Sequence, residues 1–256
     1  MVLAKAKRFL HGKDEKNYPF WLYGLVPEAK AYGVFLLWQK LSSPILYLTV
    51  NDSRAEDIYR DLITFCGKEN VFFLPFKKEN SSTPRYQILY QLQKKNKILL
   101  VTPLSTLLQK VPSIDLIEKD NLHLKRGESI SRDNLSRNLS QRGYEFSSLV
   151  EEKGDYSVRG GIIDFYSPLY SNPIRVELLD EKIESIREFD SLNQLSIRKR
   201  EEVTISSRDE LFLVKREKGE LSYFIKALPQ SYFLIVDEPF EAEAKKLLNQ
   251  ELISLL

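Results

Sequence analysis

The sequence predicts an α/β fold: a parallel-sheet domain with a small α+β domain, built on an antiparallel sheet, inserted into it or set before its last piece. Three observations predict it. Strands and helices alternate from Pro44 to Pro112, strands follow one another through tight turns from Asp155 to Asp190, and α/β-style sequence returns after about Arg208.

Taken in order, PILYLTV (44–50) is a continuous apolar run of the kind buried on both faces of a parallel sheet. Residues 53–66 place Ile58, Leu62 and Phe65 on one helical face, with Ser53 as N-cap and Gly67 just past the end. VFFLP (71–75) is a second strand, 85–95 a helix with Ile88, Leu89 and Leu92 inward, and KILLVTP (97–103) a third strand leading into a short helix through Leu107 and Leu108. Ser131 to Arg142 is a helix with Leu135 and Leu139 inward, stopped by Gly143. The stretch DYSVRGGIIDFYSPLYSNPIRVELLDEKIESIREFD (155–190) reads as three strands joined by tight turns. YFLIVDEP (232–239) is another buried strand, followed by a charged helix over 240–249.

Composition excludes several classes. With 256 residues, 43% of them hydrophobic and 29% charged, the chain supports a sizeable core. A net charge of +2 does not by itself imply a nucleic-acid partner, and 118–207 holds 14 basic against 17 acidic residues, which argues against a dedicated DNA-binding domain there. A lone cysteine, Cys66, excludes an internal disulfide and fits a reducing cytosol. No apolar run is long enough for a membrane span and no secretory signal is read at the N-terminus, so a cytoplasmic location is expected. His11 and His123 are the only histidines, so no metal site of usual spacing and no triad-type nucleophile is expected. The aromatics read as core, and Arg198-Lys199-Arg200, followed at once by Glu201-Glu202, as a solvated face.

One motif bears on nucleotide chemistry. A phosphate-binding loop needs two glycines, a lysine and a hydroxyl in G-x-x-x-x-G-K-[ST], so that backbone N–H groups and the lysine meet the phosphates. In LYGLVPEAKA (22–31), Gly24 and Lys30 have the right separation, but Ala29 stands for the second glycine and Ala31 for the hydroxyl, and Pro27 removes a donor. Gly24 and Lys30 are therefore read as a vestigial phosphate loop, without productive ATP hydrolysis and without a bound cofactor.

The residues of the 155–190 stretch carry a resemblance. Arg159-Gly160-Gly161, the turn proline Pro168, Arg175-Val176-Glu177-Leu178-Leu179, the hairpin from Asp180 to Arg187 and the closing Phe189-Asp190 resemble the second domain of the excision-repair helicase UvrB, and more closely that of the transcription-repair coupling factor Mfd. The segments KRGESISRDNLSRNLSQRGY and TPLSTLLQKVP resemble the adjoining parts of the same families. The degenerate phosphate loop, and a path from VFFLP through FKKENSS into the next helix that leaves no room for UvrB's DNA-clamping hairpin, favour the N-terminal UvrB-like module of Mfd.

That resemblance implies a RecA/helicase-like domain in two pieces, 1–115 and 208–256, around a UvrA-binding domain over 116–207. It implies a non-catalytic adaptor that recruits the damage-recognition protein UvrA by mimicking UvrB. RNA polymerase and double-stranded DNA would be partners of a full-length parent through other domains. The family's UvrA-contacting arginines match Arg159 and Arg175, sixteen residues apart, and Leu179 stands where the family has an aromatic; Arg187 is a further candidate from the hairpin. Alternation puts Ile174, Val176 and Leu178 inward and Arg175, Glu177 and Leu179 outward. Arginine's planar fork suits carboxylates on a partner. Two readings stand beside this one: a UvrB-type helicase fragment (a nucleic-acid-dependent ATPase with a DNA- or nucleotide-binding role), and direct DNA binding through a basic face of the α/β domain.

Overall fold

A computed structural model of the chain describes residues 25–76, 85–94, 97–217, 221–228 and 232–237. Gly24, His11, the path through 77–84 and the helix expected over 240–249 lie outside the described residues. In chain order the elements are α1 (Pro27–Lys40), β1 (Ile45–Thr49), α2 (Asp52–Cys66), β2 (Val71–Phe73), α3 (Arg85–Lys94), β3 (Leu99–Pro103), α4 (Leu104–Leu107), β4 (Lys110–Pro112), α5 (Ile114–Asp120) and β5 (Leu122–Lys125). Then come α6 (Arg132–Gln141), β6 (Glu145–Phe146), β7 (Asp155–Arg159), β8 (Ile162–Phe165), β9 (Ile174–Leu179), β10 (Lys182–Phe189), β11 (Ser196–Arg200), β12 (Glu202–Ile205), α7 (Glu210–Glu217), β13 (Leu221–Tyr223), a 3-10 turn (Phe224–Ala227) and β14 (Phe233–Val236). The fold is thus mixed α/β, with one parallel sheet and several antiparallel pairings. Two compact units emerge, one from stretches within 1–83, 92–109 and 224–256, the other from stretches within 84–91 and 110–223.

The first unit holds the parallel sheet, ordered β14-β1-β3-β2, with Ile45 in register between Phe233 and Leu99. Every residue of β1 and β3 is buried, as their unbroken apolar sequences require of central strands. Helix α2 packs Ala55, Ile58, Leu62 and Cys66 onto Tyr47, Val71 and Val101. Its N-cap is Asn51, whose side chain accepts the Arg54 N–H, not Ser53; the extended Asn51 backbone puts the capping oxygen one turn ahead of its target. Phe65 is not on the buried stripe but 41% exposed, stacked on Phe35 and edge-on to Tyr32.

The second unit is built on a six-stranded sheet, β11-β10-β9-β8-β7-β6, antiparallel except for the short β6–β7 pair. One face packs Ile163, Phe165, Ile174, Val176, Ile183 and Ile186 against Leu135 and Leu139 of α6 and against β5 and β12. Ser131 caps α6, and Gly143 follows it at φ +84, where glycine avoids the Cβ clash. The stretch from 155 to 190 forms four strands, not three. Gly160, at φ +59, turns the chain between β7 and β8, and a Cβ on Gly161 would lie 2.6 Å from the Leu178 carbonyl oxygen. A second turn, Asp180-Glu181, carries Asp180 at φ +56 and closes the β9–β10 hairpin. A buried ion pair ties α3 to α7, with Arg85 Nε 2.9 Å from Glu210 Oε1.

Candidate partner-binding face

The six-stranded sheet turns its other face outward. Alternation on β9 places Arg175, Glu177 and Leu179 there, as the sequence indicates, with Ile174 and Val176 fully buried behind them. The register brings Asp164 of β8 beside Arg175, and Arg187 of β10 beside it on the opposite flank.

Asp164 organises this face. Its side chain is 2% exposed, and its two oxygens serve two guanidiniums: Arg159 Nη2 at 2.7 Å, and Arg175 through Nε at 2.8 Å and Nη2 at 2.9 Å. The Arg175 contact is bidentate, the geometry that makes arginine–carboxylate pairs strong and directional. Arg175 also lies over the Phe189 ring, 4.5 Å from its centre, and donates to Gln194 Oε1 at 3.1 Å. Its hydrogen bonds to Asp164 hold the Arg175 guanidinium above even its usual high range, so its charge is fixed.

The four predicted residues are therefore placed differently. Arg159 and Arg175 share one carboxylate, but Arg159 remains half exposed while Arg175 is 16% exposed, more a buried strut than a free surface group. Arg187 sits beside Arg175 in the neighbouring strand and is paired with Glu177, which also accepts from Ser185. Leu179 is 66% exposed at the far end of β9, about 13 Å along the strand from Arg175 at the usual rise per residue.

The sequence did not single out Asp164 or Gln194, and it marked Phe189 only as part of the closing Phe189-Asp190 motif. An acid interrupting the apolar run GIIDF was a usable signal for the first; the other two depend on cross-strand packing. The basic triplet also divides. Arg198 and Arg200 both pair with Glu188, which is 2% exposed, while Lys199 lies in register with Arg187. Arg198 and Arg200 thus serve a buried acid and are not merely solvated.

Of the pair read as a vestigial phosphate loop, Lys30 lies within α1 and its Nζ is 2.6 Å from Asp237 Oδ1 just past β14. Arg54 Nε holds the other oxygen at 2.8 Å. His123 Nδ1 lies 2.9 Å from Thr204 Oγ1, and among the described residues no cluster of three or more His, Cys, Asp or Glu side chains is arranged to hold a metal. No helix among them is long and apolar enough to cross a membrane.

Residues 122–211, which contain this whole face, match the family profile described as the UvrB interaction domain. The chain as a whole is similar to proteins named transcription-repair-coupling factor. It is 28% identical to that of Bacillus subtilis (strain 168) over 223 residues, covering 83% of this chain and 19% of the relative. It is 31% identical to that of Staphylococcus aureus (strain bovine RF122 / ET3-1) over 233 residues, covering 87% and 20%. The chain spans about a fifth of the length of the curated relatives it matches. The resemblance drawn from the arginine-bearing strands is thus found independently, and the matched stretch runs from β5 to the start of α7.

Proposed function

We propose that this chain is a non-catalytic adaptor that docks UvrA through the outer face of its UvrB interaction domain, as a UvrB mimic within a factor for transcription-coupled nucleotide excision repair. The observation that carries it is Arg159 and Arg175 gathered on one buried carboxylate at an open sheet face, inside a UvrB interaction domain. Leu179 and Arg187 extend the contact. The wider architecture in this reading is a RecA/helicase-like domain, 1–115 with 208–256, carrying 116–207 as an insertion. RNA polymerase and duplex DNA would be engaged by other parts of a longer parent, in the cytoplasm.

The absence of catalysis follows the same logic. A phosphate loop uses its lysine to meet phosphate charge. Here Lys30 is committed to Asp237, which also holds Arg54, and alanines replace the second glycine and the hydroxyl. These features support a chain that turns over no ATP, and measured DNA-stimulated turnover would revive the helicase reading.

Calorimetric titration of the chain with UvrA from the same organism tests the proposal. The native chain should bind, and an Arg159→Ala/Arg175→Glu variant should not. Because Arg175 is largely buried, Arg159→Ala alone is the cleaner probe; it should weaken binding by about 2 kcal/mol, the scale of a truncated arginine anchor, with an unchanged circular dichroism spectrum. Native affinity in both variants would sink the reading.

A further inference from the structure

We propose that the docking face continues beyond the predicted arginines onto the β10–β11 loop and β11, where Leu195, Ile197 and Lys199 form a second contact for an acidic partner surface with an apolar recess. The inference rests on the adaptor reading and adds the chemistry that its partner must offer. Asp164, Arg175, Arg187 and Lys199 form one cross-strand row, because Arg175 pairs in register with Asp164 and Arg187, and Arg187 with Lys199. Within that row Asp164 answers Arg159 and Arg175, and Glu177 answers Arg187. Lys199 has no ion-pair partner among the described residues, so the face carries surplus positive charge at the end away from Arg159.

Apolar surface accompanies that charge. Ile197, two residues from Lys199 where the register of β11 against β10 shifts, is 52% exposed, and Leu195 is 67% exposed. A single exposed leucine carries little meaning. Ile197, however, sits on an edge strand with Leu195 just before it, and the loop leading to that strand is locked in place. Asp190 Oδ1 accepts from the N–H groups of Leu192 and Asn193, and Asn193 Oδ1 from that of Leu195. Gln194, at φ +64, accepts from Arg175 itself. The segment is thus fastened to a guanidinium of the docking face, and little ordering entropy is lost when a partner settles on it. Exposed leucine and isoleucine gain nothing from a phosphate backbone, so the surface fits a protein partner better than nucleic acid.

The experiment titrates UvrA with the intact native chain, with an Ile197→Asp/Lys199→Glu variant and with Lys199→Arg, each checked for fold by circular dichroism. Leu211→Ser, an exposed position on α7 outside the sheet, is the control. The expected result is native-like binding by Lys199→Arg and the control, and about tenfold or greater weakening in the double variant. Unchanged affinity in the double variant, while Arg159→Ala weakens binding, would overturn the extended face and leave the adaptor reading intact. A native chain that does not bind UvrA would overturn both.

Discussion

Two aspartates in different parts of the chain use the same device. Asp237 and Asp164 both have side chains 2% exposed, and each holds two cations at 2.6–2.8 Å. At Asp237 the cations come from helices α1 and α2 and are 17% and 27% exposed. At Asp164 they come from neighbouring strands, and Arg159 remains 50% exposed. Helices that cover a parallel sheet bury what they carry, whereas an antiparallel sheet can leave one face in water. The first arrangement therefore commits its lysine to an internal pair. The second presents an arginine while fixing its position. At Asp237 the effect reaches the neighbouring Tyr47, whose phenol is pushed well above its usual range, first by burial and then by the carboxylate.

The largest effects should come from removing each acid. Asp164→Ala and Asp237→Ala should each lower stability by about 3 kcal/mol in urea unfolding, because a cation largely buried beside the acid loses its partner. Only Asp164→Ala should also abolish UvrA binding in the folded protein; equal loss of binding in folded Asp237→Ala would break the comparison. Paired glycine substitutions sharpen it. Gly161→Ala drives a Cβ against the Leu178 carbonyl and should destabilise by about 1–3 kcal/mol. Gly33→Ala, in α1 with nothing within 4 Å of the new methyl, should stabilise by about 0.5–1 kcal/mol. Midpoint shifts of the same sign would refute the steric account.

The smallest effect concerns pH. Burial of Glu188 opposes its ionisation, but hydrogen bonds from Arg198, Arg200 and Asn172 outweigh it and hold the carboxyl below its ordinary value. The folded state then binds this proton less readily than the unfolded chain. Its contribution is present above the unfolded value of about 4.3 and is lost as pH falls through the lower folded value. Urea midpoints measured down this range should fall less steeply for Glu188→Gln than for the native chain. Identical slopes would show that Glu188 does not titrate in this way.

Much of the fold was legible because its signals are local. The unbroken apolar runs at 45–49 and 99–103 announced central strands, the spacing of Ile58 and Leu62 announced the buried stripe of α2, and alternation over 174–179 sorted core from open face. The errors were local as well. Two adjacent glycines at 160–161 hid a strand boundary, and Phe65, at the edge of the helical stripe, was placed inside it.

By itself, then, the sequence determined which residues of β9 face outward and that Arg175 is among them, since a period of two residues depends only on neighbours along the chain. Tertiary structure alone decided what the sheet's arginines are. Asp164 splits Arg159 and Arg175 into a presented and a buried cation, Glu188 claims Arg198 and Arg200, and among the described residues Lys199 has no acid. The reason is physical: a charge finds its partner across strands, and strand order and register, not sequence distance, set which acid stands within hydrogen-bonding reach.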